Sequence, residues 1–121
     1  MIEPARDLYI YKVLTAAQWV QFQAQKSFTG SPVDVADGFI HLSCAGQLKE
    51  TLDKWYAGED EVAVLQVTAS QVAENLKYEV SRGGAEFPHL FADLSLSAIT
   101  KVWLVSSEAG AYRLPQDLTA N

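Results

Sequence analysis

The spacing of apolar residues changes several times along the chain, and the changes mark its elements. Leu8 to Leu14 (LYIYKVL) is aromatic, β-branched and aliphatic, and reads as a strand. Thr15-Ala-Ala-Gln18 has the spacing of a capping box, which predicts a helix to about Lys26 with Trp19 and Phe22 on its buried face. Thr29-Gly-Ser-Pro32 ends that helix and opens a loop running to Asp37-Gly38, a turn signal in its own right. Phe39 to Ser43 (FIHLS) alternates at period two and predicts a short strand. Ser43 then stands as a helix N-cap. Leu48, Leu52, Trp55 and Tyr56 form the apolar stripe of a second helix that closes near Gly58.

The second half is richer in strands. Glu61 to Thr68 (EVAVLQVT) reads as the most buried of them, Ala69 to Leu76 as a short helix, and Leu76 to Ser81 as an alternating strand before an Arg82-Gly-Gly loop. Phe87 to Phe91 (FPHLF) is extended, and Pro88 confines it to a sheet edge or a strand start. Ala98 to Val105 is the last strong strand, and the polar tail after Ser106 is expected to be loosely held. Strands and helices follow one another without a βαβ rhythm. The expected class is therefore α+β, a split and mostly antiparallel sheet with two main helices. At 121 residues the expectation is one domain over 1–121, with its core at about 8–105.

Composition narrows the function classes. Fifteen acidic against nine basic residues give a formal charge of -6, which argues against sequence-independent binding to nucleic acid or anionic membranes. A single cysteine, Cys44, excludes an internal disulfide and fits a reducing compartment. The start MIEPARDLY lacks the apolar run of a secretory signal, and no stretch approaches the roughly 20 apolar residues of a membrane span. A cytoplasmic protein is expected.

Candidate chemistry centres on two histidines in matching settings. In FIHLS, Phe39, His41 and Ser43 share a face; in FPHLF, Phe87, His89 and Phe91 do. Imidazole titrates near neutrality and suits acid–base work or ligand hydrogen bonding, although a lone strand histidine serves equally well as a satisfied structural residue. Glu79 in KYEVS is a strand carboxylate beside a Gly-Gly loop, Asp37 could orient a histidine ring, and Arg82 in its flexible loop could meet a phosphate. Neither HExxH nor CxxC is present, so no metal is expected, and Cys44 reads as a small buried hydrophobe.

IYKVL, DGFIHLS, YEVSRGG and FPHLF together resemble the bacterial family catalogued as domain of unknown function 952, over roughly Leu8 to Val105. That family is similar, more distantly, to the ADP-ribosyltransferase fold, and FIHLS resembles the His-x-Ser strand of the RNA 2'-phosphotransferases. The resemblance implies a cleft for NAD or a related nucleotide and a transferase or glycohydrolase reaction. His41 and Ser43 would line the nicotinamide–ribose side, with Glu79 or the FPHLF strand near the catalytic glutamate's place. His41, Glu79 and His89 are thus the catalytic candidates, and Ser43, Asp37, Phe39 and Arg82 the ligand-binding ones. The first strand departs from the transferases, since Tyr9-Ile10-Tyr11-Lys12 carries no histidine or glycine. The three arginines, Arg6, Arg82 and Arg113, have no clear counterparts among those that hold RNA phosphates. A non-catalytic module for a small metabolite or a protein partner is the alternative.

Overall fold

The computed structural model describes residues 7–109 and 111–119, apart from the side chains of Arg82 and Thr119. Arg6 lies outside the described residues. The architecture is α+β, an antiparallel sheet system with few helices. Strand β1 (Tyr9–Thr15) pairs with β4 (Glu61–Thr68), β4 with β8 (Ile99–Glu108), and β8 with the short β9 (Ala111–Tyr112), all antiparallel. A second sheet has the order β3 (Ile40–His41), β6 (Glu86–Leu90), β5 (Leu76–Val80). Strands β2 (Ser27–Phe28) and β7 (Leu94–Ser95) form a small pair.

The two larger sheets are joined by one stretch of backbone. The Leu42 amide donates to the Pro88 carbonyl of β6, and the next residue, Ser43, exchanges two 2.8 Å hydrogen bonds with Tyr11 of β1. Successive residues of a strand turn their backbone groups to opposite sides, so FIHLS can face one sheet with each. This stretch sets the orientation of everything on it, including His41.

β1 and β4 are buried on both faces, so their sequences are largely apolar rather than alternating, with Lys12 and Gln66 as buried polar exceptions. Ile10, Leu14, Phe22, Ile40, Leu65 and Leu90 belong to one apolar cluster, and Tyr11, Val13, Leu48, Leu52, Trp103 and Tyr112 to a second. Helix α1 (Ala16–Gln25) starts at the expected Thr15–Gln18 capping box and ends where Lys26 turns left-handed. Among the described residues no helix is long and apolar enough to cross a membrane.

Several sequence expectations need correction. The loop before Asp37-Gly38 contains a helix, α2 (Pro32–Asp37), capped by Ser31, and Gly38 is its left-handed C-cap at φ 89°. Ser43 does not cap the next helix: a 3-10 turn at Ala45–Gln47 intervenes, with Cys44 at its N-cap position, and α3 spans Leu48–Trp55. The predicted helix over 69–76 is two 3-10 turns, Ala69–Gln71 and Ala73–Asn75. β6 is the central strand of its sheet, not an edge, despite Pro88. The Pro88 carbonyl accepts from Leu42, so its missing amide falls on the β3 side, where pairing ends after two residues. The ladder with β5 loses nothing.

The tail is also packed rather than loose. Tyr112 is buried, and its hydroxyl donates to the carbonyls of Tyr56 (2.6 Å) and Glu59 (2.9 Å). In α4 (Gln116–Thr119) Leu118 is buried in the second cluster, and the Trp103 indole N–H donates to Asp117.

Candidate functional site

His41 and His89 lie directly opposite each other in the β3–β6 pair. The His41 amide donates to Asp34 Oδ1 (3.1 Å) and its carbonyl accepts from Lys12 Nζ (3.0 Å), so neither group turns toward β6. Such non-hydrogen-bonded antiparallel positions hold their side chains closest. The two imidazoles meet edge to face with centroids 5.5 Å apart. Phe39 stacks on His89 at 4.1 Å and touches His41 at 4.6 Å, so the shared face read from FIHLS and FPHLF is a continuous layer of rings.

Asp34 organises the His41 side of this layer. Its carboxylate accepts four hydrogen bonds. Oδ1 takes the His41 amide and His41 Nδ1 (2.7 Å); Oδ2 takes Lys12 Nζ (2.9 Å) and the Ser31 amide (2.9 Å). Four donors fill the acceptor sites of an ionised carboxylate. The side chain is only 2% exposed, and that of Lys12 5%. Burial pushes the Asp34 carboxyl up. The His41 hydrogen bond, the Lys12 charge and the Ser31 amide outweigh it and hold the group well below the usual carboxylate range. Burial pulls the Lys12 ammonium below its ordinary value, with the Asp34 carboxylate opposing. Gly30 makes room for this arrangement. Its φ is 132°, and a Cβ there would stand 2.8 Å from that of Asp34.

The outer nitrogen of His41, Nε2, is 2.9 Å from Asp37 Oδ2 at the end of α2. His41 thus sits between a buried and a half-exposed carboxylate, and only the doubly protonated ring can donate to both. His89 is held differently. Its Nδ1 bonds Glu79 Oε1 at 2.8 Å, and its Nε2 is buried without a hydrogen-bond partner among the described residues.

These groups open on a cavity of about 490 Å³ walled by β1, α2, α3 and the β3–β6 pair. Lys12, Asp34, Asp37, His41 and His89 supply its charged and titratable lining; Tyr11, Trp55, Tyr56 and Phe87 supply aromatic walls. Hydroxyls come from Thr15, Ser31, Ser43, Thr51 and Ser81. Ser43 Oγ and Thr51 Oγ1 share a 3.1 Å hydrogen bond. Burial, then the charges of Asp34 and Glu59 and the neighbouring Tyr112, push the Tyr56 phenol up to about 12; its hydroxyl donates to the Val13 carbonyl. Among the described residues no group of three or more His, Cys, Asp or Glu is arranged to hold a metal ion.

Of the sequence candidates, His41, His89, Ser43 and Asp37 line this cavity. Glu79 and Phe39 stand behind them, as partners of His89 rather than as cavity walls. The Arg82 backbone belongs to the turn after β5, and its side chain is not described. Cys44 is directed elsewhere, its thiol 3.3 Å from Asp7.

Residues 13–102 match the family described as Protein of unknown function (DUF952). The chain belongs to that family. The crystal structure of protein CC0527 from Caulobacter crescentus is 45% identical and superposes with a TM-score of 0.85, over 91% of this chain and 97% of that one. Its solution NMR structure is 44% identical with a TM-score of 0.78, over 88% and 91%. A search of curated proteins gives no match.

Two central residues of this DUF952 chain escaped the sequence reading, and each left a signal. Ser31-Pro-Val-Asp34 is a capping box with proline in the first turn, the same device as Thr15–Gln18. Lys12 is a charge in the middle of an otherwise apolar strand, which requires a buried counter-charge somewhere in the fold. Trp55, assigned to the buried stripe of α3, is 62% exposed and lines the cavity instead.

Proposed function

We propose that the cavity binds a nucleotide-like ligand of the NAD class and that the protein acts on its glycosidic bond as a transferase or glycohydrolase. We take the sheet system, joined at Tyr11 and Ser43, as a variant of the ADP-ribosyltransferase architecture, in a single cytoplasmic domain. The observation that carries this reading is the Lys12–Asp34–His41 chain ending at a cavity with aromatic walls. A buried carboxylate on Nδ1 fixes the ring and its tautomer and leaves Nε2 to handle a proton once Asp37 releases it. In the reaction the C1'–N bond breaks and its electron pair leaves with the base. A water or acceptor hydroxyl forms the new C1'–O bond, and His41 Nε2 takes the acceptor's proton. Glu79, the candidate for the catalytic glutamate's place, is assigned instead to orienting His89.

A second reading is a non-catalytic binding module. It is favoured by the fact that both His41 nitrogens already have carboxylate partners, and that Lys12 is already bound to Asp34 and so is not free to grip a phosphate. Titration with NAD, ADP-ribose and nicotinamide separates the two. The enzyme reading expects NAD to raise the melting temperature and nicotinamide to be released, with release lost in H41Q while the thermal shift persists. A shift without turnover supports the binding module. If none of the three raises the melting temperature at millimolar concentration, the nucleotide reading falls.

A further inference from the structure

His89 contributes to the cavity wall, and its Nε2 is the least explained atom of the ring. The side chain is 5% exposed, yet this nitrogen has no hydrogen-bond partner among the described residues. Buried polar groups in folded proteins are almost always paired, and an unmet one is destabilising. The rest of the ring is closely specified. Phe39 covers it at 4.1 Å with planes only 19° apart, His41 meets it edge to face, and Glu79 Oε1 holds Nδ1 at 2.8 Å.

Glu79 also determines what Nε2 can do. An ionised carboxylate only accepts, so the Nδ1 contact requires the proton on Nδ1. A second proton on Nε2 would be a buried donor with no acceptor. In the singly protonated ring, Nε2 presents a lone pair. Its edge-to-face neighbour His41 has a side chain 33% exposed and is tied to the half-exposed Asp37.

We propose that His89 is a specificity-determining hydrogen-bond acceptor, locked by Glu79, that selects ligands carrying a neutral donor on a flat ring, such as a primary amide or a hydroxyl. The aromatic walls, Trp55, Tyr56 and Phe87, would take the ring, and Nε2 would take the donor. This deepens the ligand-binding part of the proposed function and rests on the same cavity. It does not depend on turnover or on a phosphate.

The test uses the full chain and two neutral isosteres, benzamide and acetophenone, which differ by an amide NH2 against a methyl group. Binding is followed by amide chemical-shift perturbation at millimolar concentrations. Benzamide is expected to bind about tenfold more tightly, the scale set by leaving or pairing one buried polar group. His89→Phe keeps a ring in the wall and should bring the two affinities within about twofold of each other. Nitrogen-15 shifts of the His89 ring in the free protein give a ligand-independent arm, with a protonated Nδ1 and a lone-pair Nε2 expected. Glu79→Gln, which can meet Nδ1 with its oxygen or its amide, should weaken that tautomer preference. Equal affinities in the wild type, binding of neither compound, discrimination that survives in H89F, or a protonated Nε2 would each overturn the proposal. A thermal shift with NAD alongside equal fragment affinities would remove this inference alone. Amide selectivity without NAD binding would remove the nucleotide reading alone.

Discussion

Asp34→Asn changes one oxygen to an NH2 and reaches every part of the candidate site. The wild-type carboxylate accepts four hydrogen bonds, two on each oxygen. An amide offers one oxygen, so two of the four donors must face another donor. In either orientation the neutral amide leaves the buried Lys12 ammonium without its counter-charge. If the oxygen stays toward His41, Lys12 Nζ and the Ser31 amide meet the new NH2; if it flips, the His41 amide does, and His41 Nδ1 keeps its contact only by becoming the acceptor. Removing one partner of a buried ion pair costs about 3–5 kcal/mol, because the other charge stays buried and unpaired. For a chain of this size that is a fall in Tm on the order of 12–20 °C. The assay is urea unfolding followed by tryptophan fluorescence, with the slope checked for constancy. The loss should depend on pH. Asp34 is held below its unfolded value, so its stabilisation is full above about pH 4 and disappears as pH falls through the folded value. Wild type and D34N should therefore converge in strong acid. Adding K12M to D34N removes the orphaned ammonium and should recover part of the loss. A D34N cost under about 1 kcal/mol, or no recovery in the double variant, would refute the network described above.

The remaining predictions concern the tail, the cavity wall and the alkaline limb. Tyr112→Phe deletes the hydroxyl that reaches the carbonyls of Tyr56 and Glu59 and should cost about 1 kcal/mol, whereas Tyr112→Ala should cost about 3–5 kcal/mol by emptying the second apolar cluster; urea midpoints indistinguishable from wild type for both would mean a tail that contributes nothing. Trp55→Ala should change stability by no more than about 0.5 kcal/mol, because the side chain is mostly exposed, but should reduce the NAD-induced thermal shift; an unaltered shift would exclude Trp55 from the binding wall. Tyr56 ionises in the unfolded chain near its ordinary value and in the folded protein only at about 12, so stability should fall as pH rises across that interval, and Tyr56→Phe should flatten the fall; an identical alkaline limb in the variant would count against a buried phenol.

How far the sequence could be read depended on whether a signal was local. The Thr15–Gln18 box and the doubly buried strand at Glu61–Thr68 were legible because capping and apolar runs act over a few residues. The facing histidines were half legible. Period two assigned each ring to a face with its phenylalanine, but the register that puts His41 opposite His89 depends on pairing across 48 positions. Helix α2 was hidden because glycine and proline at 30 and 32 read as loop, although Ser31 and Asp34 have capping-box spacing. Pro88 misled because the rule against central proline assumes pairing on both sides, and β3 is only two residues long. The tail looked loose because its polarity hides two anchors, Tyr112 and Leu118, whose contacts lie far back in the chain.

The two histidines have matching sequence settings, yet the structure separates them. His41 can be explained without any ligand: both its nitrogens have carboxylate partners, its backbone serves Asp34 and Lys12, and a third of the ring meets water. A purely structural account of the cavity therefore survives the His41 geometry. It does not survive His89 as easily. A core position that needed only a flat ring against Phe39 would be served by phenylalanine, which leaves no buried nitrogen unmet. Glu79 spends a carboxylate on fixing that ring, which a packing role does not require. The decisive comparison is therefore the stability of H89F against wild type without ligand. A variant at least as stable as wild type, in a protein that loses amide selectivity, would mean that His89 is kept at a thermodynamic cost for what it binds. A variant that unfolds more easily and leaves selectivity unchanged would return the residue to the core.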